Sequence, residues 1–226
     1  MQKVYIVSAR RTAIGAFLGS LAEMNPADMG AEVVKAVLKD AKVAPEQVDE
    51  LICGNILSAG LGQGIGRQVA VKAGIPVEVP AYSVNMLCGS GMKAVINGMS
   101  SILAGEADII IAGGVESMSR APYLIPRETR KGIKMGSFQV EDHMLKDALT
   151  DAFEGIHMGM TAENVAAKHA IDRARQDSFA YASQQKAIAS VDAGHFDEEI
   201  VPLTVKNGRE ETVFSRDEYP NRKTDE

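Results

Sequence analysis

In the stretch "VNMLCGSGMKAV", residues 84–95, Cys88 stands between an apolar run and the glycines Gly89 and Gly91. The residues before it read as a strand and "GSGMKAVINGMSSILAGEA" after it as a helix, so Cys88 is expected where a strand hands over to a helix. Unpaired backbone N–H groups and the positive end of the helix dipole gather at such a point, and both favour an anion. A thiol there ionises more readily, and the thiolate is the nucleophilic form. Two neighbours without side chains would let a bulky substrate approach the backbone closely. The same residues also suit a structural cysteine beside a tight turn, and spacing alone leaves both readings open. Cys53, inside the apolar run "ELICGN", reads as a core residue.

The chain has four histidines that could serve as bases: His143, His157, His169 and His195. His169 sits on a polar helical stretch and His195 follows a helix stop, so both read as surface residues. His157, in "GIHMGMTAEN", occupies a glycine-flanked turn before a helix. Thr161 is the expected cap of that helix, with Glu163 and Asn164 in its first turn, and the turn suits a binding role. No histidine lies near Cys88 in sequence, so any pairing is spatial.

"GLGQGIGR" (60–67) completes neither GxGxxG nor a GK[ST] ending, so it reads as a flexible or interface loop rather than a nucleotide site. "AGGVESMSRAP" (112–122) leaves a strand at the sheet edge where Cys88 also belongs, and such edges bind ligands in open α/β sheets. A plain turn fits it nearly as well. The two cysteines and four histidines show no zinc spacing, and no metal is expected.

The elements that must position these residues alternate. "KVYIVSA" (3–9) reads as a buried strand, followed by a helix over "NPADMGAEVVKAVLKDA" with Asn25 as N-cap and Pro26 in the first turn. Val33, Val34, Val37, Leu38 and Ala41 recur at helical spacing as its buried stripe. Strands over 50–57, 79–86 and 108–114, with helices over 66–74 and 89–107, continue the pattern. That rhythm predicts a mostly parallel sheet covered on both faces.

Residues 118–140 break the rhythm, with five basic residues and one acid between Arg120 and Lys134, and read as a functional or partner-contacting excursion. Helices resume over 161–170 and after Asp172, where Phe179, Ala182, Ala187 and Val191 are expected to face inward and Gly194 to stop the helix. Residues 198–205 and 210–215 suggest paired strands about an Asn207-Gly208 turn. The ending "RDEYPNRKTDE" is polar and carries no closing element.

Across 226 residues the chain is 46% apolar and 24% charged, enough for a sizeable core. Its net charge of -6 and its 5% aromatic content argue against nucleic acid as a partner. No stretch approaches the ~20 apolar residues of a membrane span. Two free cysteines fit a reducing cytoplasm.

Taken together, "SARRTAIGAFLGSL", "NMLCGSGMKAV", "AGGVESMSRAPY", "HMGMTAENVA" and "FSRDEYP" resemble the thiolase family in order and approximate spacing. They look most like its biosynthetic branch, the acetyl-CoA C-acetyltransferases. The resemblance implies an α/β thiolase fold with a layered αβαβα core. Residues 1–118 would be the N-terminal half and 119–226 an inserted loop domain, with the C-terminal half absent. It implies that Cys88 accepts an acetyl group from acetyl-CoA as a thioester, and that a second acetyl-CoA condenses with it to acetoacetyl-CoA. Thiolysis is the reverse. It places His157 and Met158 beside the pantetheine arm of coenzyme A and Arg222 near its nucleotide, although "EYPNRKT" departs from the usual spacing there. Coenzyme A is then substrate and product, and no separate cofactor is expected.

The basic segment would be a tetramer-forming loop, and "GLGQGIGR" would lie near a dimer interface. The family's second half carries a His in a GHP motif, an Asn in a NEAF-type motif and a second reactive Cys in a CxG motif, none of which these 226 residues contain. A truncated or separately encoded fragment, inactive or weakly acylating alone, is therefore expected. The competing readings are a degradative 3-ketoacyl-CoA thiolase acting on longer chains, a related ketoacyl synthase, and a non-catalytic CoA-binding or assembly fragment.

Overall fold

A computed structural model describes residues 3–207 and 210–220. Asn25 opens α1 (Pro26–Ala41) as read from the sequence: its side chain accepts a hydrogen bond from the Ala27 N–H at 2.9 Å. A cap of this kind is worth about 1 kcal/mol. The elements that follow are β2 (Glu50–Gly54), α2 (Ile65–Lys72), β3 (Ala81–Val84), α3 (Ser90–Ala104) and β4 (Ile110–Gly114). They build a three-stranded sheet in the order β3-β2-β4, with both pairings parallel. Alternation along β2 explains its unbroken apolar run, because both faces are covered. Leu51 and Cys53 pack into a cluster with Ala27, Val34, Leu38 and Val69 of α1 and α2. On the other face α3 seats against the sheet, with Gly98 against Ile110 and Ala112.

The segment 3–9 is not the expected buried strand. It belongs to no strand, and Tyr5, Ile6 and Val7 are 71–79% exposed. Only β1 (Arg11–Thr12), just beyond it, pairs, in parallel with β7 (Ile200–Val201). The reason lies in the neighbourhood: residues 4–12 stand across an apolar cleft from β4, and no strand pairs with the outer side of β4 among the described residues.

A second core brings both ends of the chain together. Ala13, Leu21 and Met29 pack with Leu203, Val205 and Phe214. The last three lie on β8 (Leu203–Asn207) and β9 (Glu210–Phe214), which pair antiparallel as the sequence suggests. The expected strand 198–205 is split at Pro202 between β7 and β8, because proline has no N–H to continue a ladder. Residues 118–140 form an excursion of short turns, closed where β5 (Tyr123–Leu124) pairs antiparallel with β6 (Glu141–Asp142).

Two helices follow, α4 (Met158–Lys168) and α5 (Arg173–Asp192). Asp172 caps α5 by accepting from the Arg175 N–H at 2.8 Å. Its expected inward stripe is not observed: Phe179 is 78% exposed, Ala182 is exposed, and Ala187 and Val191 are only half-buried. Apolar spacing reports a demand for burial, but here no described element covers that side of α5. No helix among the described residues is long and apolar enough to cross a membrane.

Candidate active site

Cys88 lies in the turn joining β3 to α3, one residue before the Gly89 N-cap, and it is exposed. The turn is held by side chains on both sides. Asn85 Oδ1 accepts from the Leu87 N–H at 3.0 Å. Ser90 Oγ accepts from the Met86 N–H at 2.8 Å and donates to the Leu87 carbonyl at 2.6 Å. Leu87 between them has φ 48°, a left-handed conformation that disfavours a leucine by roughly 1–2 kcal/mol. The strained residue is thus locked in place immediately before the exposed cysteine. Residue type alone does not mark Asn85 or Ser90 as the lock of this turn. A serine at a helix start is a familiar local hydrogen-bonding residue, and that signal was available.

Helix α3 reaches the sheet through a contact between glycines. A Cβ on Gly54 of β2 would stand 2.6 Å from the Gly91 nitrogen, and one on Gly114 of β4 3.5 Å from the Gly91 Cα. Close packing of helix on sheet therefore demands glycine at Gly54 and Gly114, whereas a Cβ on Gly91 would come no nearer than 4.0 Å to the Gly113 carbonyl carbon. The Gly89 and Ser90 N–H groups are taken by the Met86 and Leu87 carbonyls. Those two amides are therefore already engaged within the turn.

The same sheet edge is stitched by Glu116 at the end of β4. Its carboxylate accepts from Asn55 Nδ2 at 3.0 Å and from the N–H groups of Ile56 and Leu57 at 2.9 and 3.1 Å. Asn55 in turn donates its N–H to Val84 and its Nδ2 to Val115, so all three strand ends are joined. The "AGGVESMS" stretch serves here as a structural clamp beside the cysteine. Cys53 is buried as expected, and burial pushes its thiol up to about 11.

His157 is exposed at the start of α4 and is itself the N-cap, its Nδ1 accepting from the Gly159 N–H at 2.9 Å. The expected cap Thr161 is instead within the helix, as are Glu163 and Asn164, because His157 already supplies the acceptor. With Nδ1 accepting, the neutral ring carries its proton on Nε2. Met158 is the first helical residue and is 38% exposed. Among the described residues no hydrogen bond joins Cys88 to His157, Met158 or any other histidine. His143 is buried and bound through Nδ1 to Asp147 at 2.6 Å. His169 and His195 are exposed. Arg222 lies outside the described residues.

The motif carried by "SARRTAIG" and "SRDEYP" becomes legible as one unit. Arg11 makes a two-pronged contact with Asp217, at 2.7 and 3.0 Å, and also bonds Glu199 at 2.6 Å. Glu218 accepts from the backbone of Ala16 and from both the N–H and the hydroxyl of Ser20. In "GLGQGIGR", Gly64 at φ 53° is the N-cap of α2, which makes this loop a helix entry.

A parallel sheet with a cysteine on a strained strand-to-helix turn defines an α/β chain with an exposed thiol at the edge of its sheet. A family model described as the thiolase N-terminal domain matches residues 4–226, and the chain belongs to the thiolase family. The acetyl-CoA acetyltransferase of Pseudomonas aeruginosa is 48% identical over 97% of this chain and 56% of its own length. The cytosolic acetyl-CoA acetyltransferase of Mus musculus is 50% identical over 96% of this chain and 54% of its own. The crystal structure of the Bacillus anthracis acetyl-CoA acetyltransferase matches with a TM-score of 0.92 and 35% identity, covering 96% of this chain and 55% of that one. The chain thus spans about half the length of the relatives it matches.

Proposed function

We propose that this chain supplies the nucleophilic part of an acetyl-CoA C-acetyltransferase. The observation that carries the reading is the exposed Cys88 on the turn locked by Asn85 and Ser90. Its sulfur forms a bond to the acetyl carbonyl carbon while the carbon–sulfur bond to coenzyme A breaks. The thiol proton leaves with the departing coenzyme A. Condensation of the acetyl group with a second acetyl-CoA, or its reverse by thiolysis, then follows on the complete machinery. His157 Nε2–H, with Met158 and the exposed Phe153 close by in sequence, forms a mixed polar and apolar surface suited to a pantetheine arm. Arg222 is assigned to the nucleotide end of the same ligand. Coenzyme A enters as substrate and leaves as product, with no further cofactor. The reading includes a cytoplasmic setting and a homo-oligomer joined through the basic segment from Arg120 to Lys134.

None of the four histidines bonds Cys88, and general acid–base help is typically worth ~10²–10⁴-fold. The chain alone is therefore expected to acylate slowly and to turn over acetoacetyl-CoA poorly. Intact-mass and peptide mass spectrometry after incubation with acetyl-CoA tests this. One acetyl group on Cys88, absent in Cys88→Ser, is expected. Acetylation that persists in Cys88→Ser, or none on the wild-type chain, refutes the assignment.

A further inference from the structure

His143 is a buried titratable group that the chemistry of Cys88 leaves without a task. It is 6% exposed, and its Nε2 has no hydrogen-bond partner among the described residues. Its Nδ1 bonds the Asp147 carboxylate at 2.6 Å. With the carboxylate accepting, the neutral ring carries its proton on Nδ1 and leaves Nε2 a bare acceptor. A buried acceptor without a donor costs stability, so an apolar residue of similar volume would serve packing better. What histidine adds over such a residue is the bond to Asp147.

That bond acts locally. Asp147 lies four residues on, in the π-helical turn Leu145–Leu149. Such wide turns are rare, and they recur at functional sites. Lys146 of the same turn pairs with Glu141, but both are more than half exposed, and pairs of that kind hold little. Upstream, His143 is fixed by its own N–H, which donates to the Pro122 carbonyl at 3.2 Å. Downstream, the turn hands over directly to Thr150, which bridges antiparallel to His157. Between those two, Asp151 closes the loop. Its N–H donates to the Ile156 carbonyl at 2.8 Å, and its carboxylate accepts from the Phe153 N–H at 3.0 Å. His157 then caps α4, with Met158 as the first helical residue. The exit of the π turn therefore sets where His157 and Met158 stand.

We propose that His143, acting through Asp147, is the positioning residue of the His157–Met158 surface, which rests on the assignment of that surface to a pantetheine arm. A buried ring at the start of the turn and a bridge just past its end make the turn a rigid spacer. Loss of the bond from Nδ1 to Asp147 loosens the spacer and shifts His157 relative to the arm. The turn that carries Cys88 is held separately, by Asn85 and Ser90, and does not share in the shift.

The test titrates coenzyme A into the 226-residue chain by calorimetry and records the His157 ring signals by NMR without ligand. Asp147→Ala removes the acceptor at a half-exposed position, so it keeps the test open where His143→Phe does not fold. Both variants are expected to weaken coenzyme A binding at least about ten-fold and to displace the His157 signals. His143→Asn keeps an N–H donor toward Asp147 and is expected to restore both readouts. If burial of the ring alone mattered, His143→Phe would be the tolerated variant and His143→Asn the damaging one. That pattern overturns the proposal, as does an Asp147→Ala chain with wild-type binding and unmoved His157 signals. Iodoacetamide labelling of Cys88 is expected to keep its wild-type rate in all three variants, and a changed rate would count against a local role. A wild-type chain that binds no coenzyme A refutes the pantetheine assignment instead. The His157 signals of Asp147→Ala then decide alone: displaced, they uphold the positioning role, and coincident with wild type, they overturn it.

Discussion

At the scale of residues, the two cysteines differ in their access to solvent. Cys88 is exposed on a strained turn, whereas Cys53 is buried with its thiol pushed up to about 11 by desolvation. Iodoacetamide at neutral pH is therefore expected to label Cys88 in the native chain and Cys53 only after unfolding, which peptide mapping checks. Ser90 is 4% exposed and carries two hydrogen bonds of the turn. Ser90→Ala leaves the Met86 N–H and Leu87 carbonyl without that partner and is expected to destabilise by about 1–3 kcal/mol in urea unfolding. It should also change the rate of Cys88 alkylation, a readout that a remote packing defect would not move. The place of Cys88 on a turn entering a helix was legible from its glycine-flanked position. The lock around it was not, because hydrogen bonds from Asn85 and Ser90 back to Met86 and Leu87 depend on turn dihedrals that residue types alone do not specify.

At the scale of elements, the caps at Asn25 and Asp172 and the parallel sheet could be read directly, whereas the cap of α4 is His157 and not Thr161. Asn25 and Asp172 have short polar side chains that satisfy helix N–H groups locally, and such chemistry needs no tertiary knowledge. The errors fall where a distant or missing neighbour decides. "KVYIVSA" has strand composition yet pairs with nothing among the described residues, and Phe179 has core character yet faces solvent. Packing demands glycine at the sheet edge, at Gly54 and Gly114, while a Cβ on Gly91 would meet only the Gly113 carbonyl carbon at 4.0 Å. Gly54→Ala tests the packing account, because its Cβ would meet Gly91 and Ser90 backbone at 2.6 Å. Backbone cannot yield as a flexible side chain can. A loss of about 1–3 kcal/mol is expected in denaturant unfolding, with α3 exchanging its amides faster. Gly74, which meets nothing within 4 Å, is not a matched control because its φ of 89° disfavours alanine in its own right.

At the scale of the molecule, Arg11 and Asp217 tie positions 206 apart, and Arg11 also lies 5.1 Å over the Phe196 ring. The Arg11 hydrogen bonds hold the Asp217 carboxyl below its usual range, outweighing burial, which pushes the other way. For Glu218 burial is the largest single influence and raises it, but the bonds from Ser20 and Ala16 together carry it below its usual range. A carboxyl depressed in the folded state adds stability that is fully present above its unfolded value, about 3.9 for Asp and 4.3 for Glu. That stability is lost as pH falls through the folded value. Unfolding midpoints should thus fall below about pH 4, and Asp217→Asn should cost about 1–3 kcal/mol at neutral pH. The gap between variant and wild type should narrow in acid.

The core formed by Ala13 and Leu21 with Leu203 and Phe214 has a further consequence during synthesis. At ~5–20 residues per second, a ribosome needs roughly 10–40 s to make the 206 positions separating Arg11 from Asp217. The strands and helices between positions 50 and 114 can assemble from contacts of low sequence separation well before that. The nascent N-terminus therefore waits as an unshielded apolar arm, and the interval before its closing partners emerge is when a chaperone would find it.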